Sequence, residues 1–260
     1  MNTIERRGLF LGTAAAALAA TNLPSAAQTL GAGPAAGAAR PPEVTRILGR
    51  YAASVLAVEL DPRAIPAIEE LAGAYPGRLM VLLADATRAD LATQVPAPRQ
   101  LAANLPYNVA TPLLIGWLRQ ANQWERMTLM FQLEVAERIC AAPDTSAYGR
   151  LSVLAQWVGR TALLLRLPPT AFSPPPKVWS AVVGLAPHAQ QPEPALFATM
   201  ERVTAAAFGQ RRKMLRGSLR SLGGEALLER AGIEPQRRAE TLTIAEFDGL
   251  ARLVHGEGAA

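Results

Sequence analysis

Three short apolar runs that each end in a polar side chain constrain the fold more than anything else in the chain. Ser54-Val55-Leu56-Ala57-Val58-Glu59 is nearly unbroken in its apolar character and ends in a carboxylate. Leu79-Met80-Val81-Leu82-Leu83-Ala84-Asp85-Ala86 repeats the design, and Arg99-Gln100-Leu101-Ala102-Ala103 leads into Asn104. Runs of this kind read as strands buried on both faces, which occur where helices cover both sides of a mostly parallel sheet. Asp61-Pro62 is predicted to start a helix reaching Leu71, with the aspartate as cap and the proline in the first turn. The alternation predicts an α/β fold with a doubly wound, Rossmann-like sheet. Ligands of such sheets bind beyond the carboxyl ends of the strands, so Glu59, Asp85 and Asn104 are expected along one edge.

Asn104-Leu105-Pro106-Tyr107-Asn108-Val109-Ala110-Thr111-Pro112 follows the third run. It sets a side-chain amide, a proline-fixed turn and an aromatic ring within four residues, and Pro112 stands where a helix can begin. That combination suits an amine on a flat ring. The exocyclic amine of adenine is a poor nucleophile because its lone pair is delocalised, so a catalyst must hold it with acceptors that favour a pyramidal nitrogen. The Asn104 amide oxygen and the backbone carbonyl near Leu105 or Pro106 are such acceptors, and Tyr107 offers a stacking face. The motif holds no carboxylate or histidine, which fits a strong electrophile such as a methyl sulfonium, where positioning does most of the work. The plainer alternative is that Asn104 caps a helix, Pro106 shapes a turn and Tyr107 packs in the core.

Further along, 127–132 reads as a strand and 134–141 as a helix carrying Glu137 and Arg138 near Cys140. The segments 151–158 and 161–167 are too apolar to assign by period. Phe172-Ser173-Pro174-Pro175-Pro176-Lys177 is predicted to be a rigid, extended loop, because successive prolines fix φ; a simple linker is the alternative. His188 to Pro194 marks a boundary. Beyond it Phe208, Leu215, Leu219 and Leu222 recur at helical spacing beside Arg212, Arg216 and Arg220. This predicts one amphipathic helix with a basic flank, serving either RNA phosphates or merely a solvated face. Segments 225–231 and 244–254 are expected to close a small helical bundle.

Four pieces in order carry a family resemblance over residues 54–254. They are Asn104-Leu105-Pro106-Tyr107, Phe131-Gln132-Leu133-Glu134-Val135-Ala136-Glu137-Arg138, Phe172-Ser173-Pro174-Pro175-Pro176-Lys177-Val178, and Gln210-Arg211-Arg212-Lys213 followed by Leu215-Arg216. Together they resemble the bacterial small-subunit ribosomal RNA adenine dimethyltransferases, which use S-adenosylmethionine. The resemblance implies a Rossmann-like methyltransferase sheet with a small C-terminal α-helical domain. It implies Asn104, Leu105, Pro106, Tyr107 and Phe172 as the catalytic set, with Phe172 covering the face of the target adenine opposite Tyr107. It gives Glu59 to the cofactor ribose, and Asp85 with the Ala86 amide to the cofactor adenine, with Asn104 alongside. Arg211, Arg212, Lys213, Arg216 and Arg220 become RNA contacts. The implied partner is small-subunit RNA in the 30S subunit, met by a monomer in the cytoplasm with no membrane and no metal. Relatives that methylate large-subunit RNA share the motif around Asn104. Trp179 stands where the family more often has a polar residue.

The N-terminal part departs from that pattern. Arg6-Arg7 precede the apolar run from Leu9 to Ala20, and Ser25-Ala26-Ala27 follows, which resembles a twin-arginine export signal. An Ala-rich tail, or a start placed too far upstream, are the alternatives. Leu30-Gly31-Ala32-Gly33-Pro34-Ala35-Ala36-Gly37 is the candidate glycine turn for the cofactor's amino-acid moiety, with Gly31 and Gly33 as its contacts. Its preceding acid is missing, no convincing strand leads into it, and a plain linker fits as well. Expected domains are therefore 1–50 as an atypical segment, 51–187 as the methyltransferase sheet and 195–256 as a helical RNA-binding domain. The chain has 260 residues and a net charge of +5, which favours a polyanionic partner. One cysteine, Cys140, excludes an intramolecular disulfide, and two distant histidines offer no metal cluster. A non-catalytic RNA-binding or assembly protein on the same fold is the runner-up function; an exported protein is a third.

Overall fold

Val55, Ala57 and Val58 have no exposed surface, and they lie in a strand as their apolar run predicts. The computed structural model describes residues 15–19, 54–173, 175–210 and 212–258. In chain order the elements are β1 (Ala15–Ala19), β2 (Ser54–Glu59), α1 (Ile65–Ala74), β3 (Leu79–Leu83), β4 (Gln100–Asn104), α2 (Ala110–Arg119) and β5 (Arg126–Gln132). There follow α3 (Leu133–Cys140), α4 (Arg150–Val158), β6 (Gly159–Leu167), β7 (Ser180–Pro187), α5 (Pro194–Phe208), α6 (Leu215–Ser218), α7 (Gly224–Arg230) and α8 (Ile244–Gly258). Seven strands form one sheet in the order β3-β2-β1-β4-β5-β7-β6.

Strand direction decides where the site lies. β2 runs parallel to β3, with Glu59 opposite Leu83, and β4 runs parallel to β5, with Asn104 opposite Met130. β1 lies between β2 and β4 and runs antiparallel to both. Ala15 pairs with Val58 on one side and Ala103 on the other, so Glu59 and Asn104 flank the amino end of β1. At the usual strand spacing they stand about 10 Å apart across the sheet. Ala15–Ala19 belongs to the apolar run read as export-signal-like, and in the structure those residues are a strand of the sheet. It also precedes the 30–37 segment, where no strand was expected. Gly31 and Gly33 lie outside the described residues.

The helix after β2 begins later than expected. Asp61 Oδ1 accepts the Arg63 N–H at 3.0 Å, and the Asp61 carboxylate also binds the Arg63 guanidinium. The carboxylate therefore closes a turn instead of capping a helix, and α1 starts at Ile65 with Pro66 in its first turn. Ile68 is buried against Val55, Ala57 and Leu79, with Leu71 and Ala72 packed around them. Burying an isoleucine of this kind contributes about 1.5–3 kcal/mol.

The chain divides into two units. One comprises Met1–Leu114, Gln123–Gln132 and Leu164–Gly184; the other comprises Ile115–Asn122, Leu133–Leu163 and Leu185–Ala260. In the second unit Trp157 packs on Phe197 with ring centroids 5.8 Å apart, and Phe208 stacks on Phe247 at 5.6 Å. Glu201 receives both Arg119 and Arg150. At the start of α8, Thr243 and Glu246 form a reciprocal capping box: the Glu246 N–H donates to Thr243 Oγ1 at 3.2 Å and the Thr243 N–H donates to Glu246 Oε2 at 2.7 Å. The ambiguous 151–167 stretch is a helix followed at once by a strand. Gly159 makes the change possible, since a Cβ there would sit 2.8 Å from the Ala186 carbonyl oxygen.

The single basic amphipathic helix expected around 208–222 is not formed. α5 ends at Phe208, α6 is a four-residue turn of helix, and Arg220–Leu222 is a 3₁₀ turn that ends at Gly223 with φ of 111°. The Leu215 and Arg216 N–H groups donate to the Arg237 and Pro235 carbonyls, so α6 starts afresh against that segment. Leu215 and Leu219 are nevertheless fully buried, as their spacing predicts.

Candidate active site

Glu59, the last residue of β2, is fully buried, and its Oε1 accepts the N–H groups of Leu60 at 2.8 Å and Asp61 at 2.9 Å. Those two bonds hold the carboxylate at the carboxyl end of the strand. Asp85 follows the end of β3 by two residues. Its Oδ1 accepts the Thr87 hydroxyl at 2.7 Å and the Thr87 N–H at 2.9 Å, while its own carbonyl accepts the Arg88 and Ala89 N–H groups. These Thr87 bonds, hydroxyl first, hold the Asp85 carboxyl below its ordinary range. Ala86 is half-buried between them. The structure thus brings Glu59 and Asp85 to neighbouring strand ends, as the sequence predicts.

Asn104 closes β4, and Leu105 continues the ladder by one step, its N–H donating to the Met130 carbonyl at 3.4 Å. Because α2 begins only at Ala110, Asn104 stands too far upstream to cap it, which removes the plainer reading of that residue. The Pro106 carbonyl accepts the Val109 N–H at 3.1 Å and retains one lone pair. Tyr107 is half-buried, and its hydroxyl lies 3.2 Å from the Ser180 hydroxyl. Ser180 opens β7 and is 1% exposed. The start of β7 therefore meets the same edge as the end of β4. Neither β7 nor Ser180 was anticipated from the sequence, although Ala181, Val183 and Leu185 alternate at the two-residue period of a strand and are buried.

Phe172 is half-buried at the end of the Pro169–Ala171 turn, where its N–H donates to the Pro169 carbonyl at 3.1 Å. It belongs to the same unit as Asn104, Tyr107 and Ser180. Arg212, Lys213, Arg216 and Arg220 are exposed in the second unit, on a turn, on α6 and on the 3₁₀ turn. Arg211 lies outside the described residues. No group of three or more potential metal-ligating side chains occurs among the described residues, and no described helix is long and apolar enough to cross a membrane.

A strand edge carrying two acids, an amide and an aromatic ring defines a site, and comparison with known proteins says whose it is. The family of ribosomal RNA adenine dimethylases matches residues 13–254. The chain belongs to that family. A relative from Gluconobacter oxydans, named ribosomal RNA small subunit methyltransferase A, is 67% identical over 207 residues, covering 80% of this chain and 68% of its own. The protein of the same name from Rhodospirillum rubrum is 52% identical over 213 residues, covering 82% and 74%. A dimethyladenosine transferase from Plasmodium falciparum shares the fold with a TM-score of 0.70 at 22% identity, covering 83% of this chain and 87% of its own. The 23S ribosomal RNA methyltransferase ErmE does so at 0.59 and 24%, covering 80% and 85%. Members of this family are methyltransferases built on a Rossmann-like sheet, which is the α/β architecture the three apolar runs predict.

The donor set fits one half of an adenosine-bearing methyl donor. Carboxylates at the ends of adjacent strands suit a ribose diol and an adenine amine. The amino-acid half is different. Among the described residues no glycine turn follows a strand at this edge, and β1 runs so that its carboxyl end, Ala19, lies beside Ser54 at the opposite edge.

Proposed function

We propose that the chain transfers methyl groups from S-adenosylmethionine to the exocyclic amine of adenines in small-subunit ribosomal RNA, twice per base, acting as a monomer on the 30S subunit in the cytoplasm. The observation that carries this reading is that Asn104 and Glu59 flank the same end of β1, with Tyr107, three residues after Asn104, bonded through its hydroxyl to Ser180. Two close relatives bear the name of small-subunit methyltransferases, which supports the choice of RNA. In this reading Glu59 receives the ribose hydroxyls, and Asp85 with the Ala86 amide receives the cofactor adenine. Bound there, the cofactor supplies an electrophilic methyl group. The Asn104 amide oxygen and a carbonyl of Leu105 or Pro106 accept the two N–H bonds of the target amine, so that its lone pair points outward. Tyr107 stacks on the target base and Phe172 covers the other face, which suits a base presented unstacked. Arg211, Arg212, Lys213, Arg216 and Arg220 meet phosphates.

The test is methyl incorporation into small subunits from cells lacking the modification, with digestion of the RNA to identify dimethyladenosine. Wild-type chain should label adenine, and Asn104→Ala should not. The second reading, a non-catalytic RNA-binding or assembly protein, is favoured by one observation, the reversed direction of β1 between the strands that end in Glu59 and Asn104. Binding to small subunits with no methyl incorporation would decide for it.

A further inference from the structure

The molecule has four tryptophans, and three are sheltered: Trp117 is 5% and Trp124 4% exposed, and the Trp157 indole donates to Asp248 at 2.9 Å. Trp179 is 47% exposed. It directly precedes Ser180, the residue whose hydroxyl meets Tyr107, so its Cα is about 3.8 Å from that of Ser180. Val178 beside it is 42% exposed, and Leu164 and Leu165 on β6 are 57% and 52% exposed. Leu164 lies over Gly184 of β7, where a Cβ would come 2.9 Å from its Cδ1. Lys177 is exposed two residues back. The exposed indole and the exposed lysine thus lie one and three residues in sequence from Ser180, the anchor of the Tyr107 hydroxyl.

We propose that Trp179 is a second stacking platform, which takes the nucleotide adjacent to the target adenine while Lys177 meets its phosphate. The proposal rests on the reading of this edge as an RNA adenine site. A single-stranded nucleic acid asks for flat rings and positive charge in alternation, and an exposed indole next to an exposed ammonium supplies both. A protein partner would leave the lysine inside an apolar contact, where an ammonium is costly to desolvate. The indole adds specificity of a limited kind, since every base has a π-face: it selects for an unstacked neighbour and is indifferent to its identity.

The experiment measures binding of full-length chain to a fluorescent single-stranded RNA loop containing the target adenine, and to the same loop with the adjacent nucleotide made abasic. Trp179→Ala should weaken binding of the intact loop by about tenfold to a hundredfold, and Trp179→Phe should keep most of the affinity. Removing the adjacent base should weaken the wild type by a similar factor and leave Trp179→Ala unchanged. Thermal melting followed by circular dichroism confirms that both variants fold. Equal sensitivity of wild type and Trp179→Ala to the abasic change overturns the stacking role, as does undiminished binding by Trp179→Ala. Loss of self-association in sedimentation, with RNA affinity intact, would give the surface to a second copy of the chain. If the wild type binds neither loop nor small subunits, the reading of the site fails and takes this inference with it.

Discussion

The Tyr107 hydroxyl lies 3.2 Å from the Ser180 hydroxyl, which ties the ring after β4 to the first residue of β7. The ring face and the hydroxyl therefore have separable duties. Tyr107→Ala should lower methyl transfer by one to two decades, the roughly 1–3 kcal/mol of a missing base stack. Tyr107→Phe keeps the face and gives up the bond to a buried serine, which costs about 1 kcal/mol of stability and little rate. Equal losses of rate in both variants, with folding intact, would move the function to the hydroxyl.

Asp85 gives a pH signature. Its carboxyl is held below the ordinary value of 3.8 by the Thr87 hydroxyl and N–H, so the folded state keeps the charge at acidity where the unfolded chain takes up a proton. A depressed folded pKa contributes stability above the unfolded value, and that contribution is lost as pH falls through the folded one. Thr87→Val removes the hydroxyl bond and should raise the Asp85 midpoint, measured by carboxyl carbon resonance in NMR titration. An unmoved midpoint would show that the hydroxyl is not the cause.

Changing Arg212, Arg216 and Arg220 together to glutamine should weaken RNA binding and flatten its dependence on the logarithm of salt by about 0.7–0.9 for each phosphate that is no longer neutralised. The three side chains are exposed but do not share one helix, so their effects should be unequal when taken singly. Filter binding across a salt series reads the slope, and an unchanged slope makes them ordinary solvated arginines.

Glu246 joins two tasks, the capping box with Thr243 and the ion pair with Arg237. Burial pushes its carboxyl up, and Arg237 and Thr243 together more than reverse this, leaving it below the ordinary 4.5. Glu246→Ala should destabilise by about 1–2 kcal/mol in urea unfolding at neutral pH. The difference from wild type should shrink as pH falls through the folded midpoint of Glu246, because the wild-type carboxylate is then protonated too. A constant difference would assign the effect to packing.

Cofactor binding and methyl transfer should separate in this chain. Glu59 and Asp85 suit adenosine, but among the described residues no glycine turn stands at their edge to fix the line from methyl to amine, and misplacement of about 1 Å costs roughly a hundredfold. Calorimetry with S-adenosylmethionine, paired with the incorporation assay, should therefore give weak binding and transfer far slower than relatives with such a turn. Micromolar affinity with normal turnover would show that the 30–37 segment is a working loop.

The sequence made the site legible wherever chemistry and strand period coincide. The runs before Glu59, Asp85 and Asn104 each announce a strand and a polar residue at its end, and all three strands form where that pattern puts them. The run before Asp85 is not buried throughout, because β3 lies at the sheet's edge and leaves Met80 42% and Leu83 54% exposed. Asp61-Pro62 misled because an aspartate satisfied by the Arg63 N–H looks the same in sequence as one capping a helix. The arginine stripe misled because spacing of four records only that Leu215 and Leu219 share a buried side, and a short helix followed by a 3₁₀ turn achieves this as well as a long helix does. Ser180 was invisible because its importance is its meeting with Tyr107, 73 residues earlier in the chain.

The reversed β1 also sets a rule for anyone rebuilding the molecule. A strand carries its direction with it, so a glycine-rich insert spliced directly after Ala19 would emerge beside Ser54, away from Glu59 and Asn104. A transplant from a relative has to bring its own strand, oriented like β2 and β4, and displace Ala15–Ala19 from its berth. Exchange of a whole strand with its turn, rather than repair of a loop, is the smallest edit that respects the polarity of the sheet.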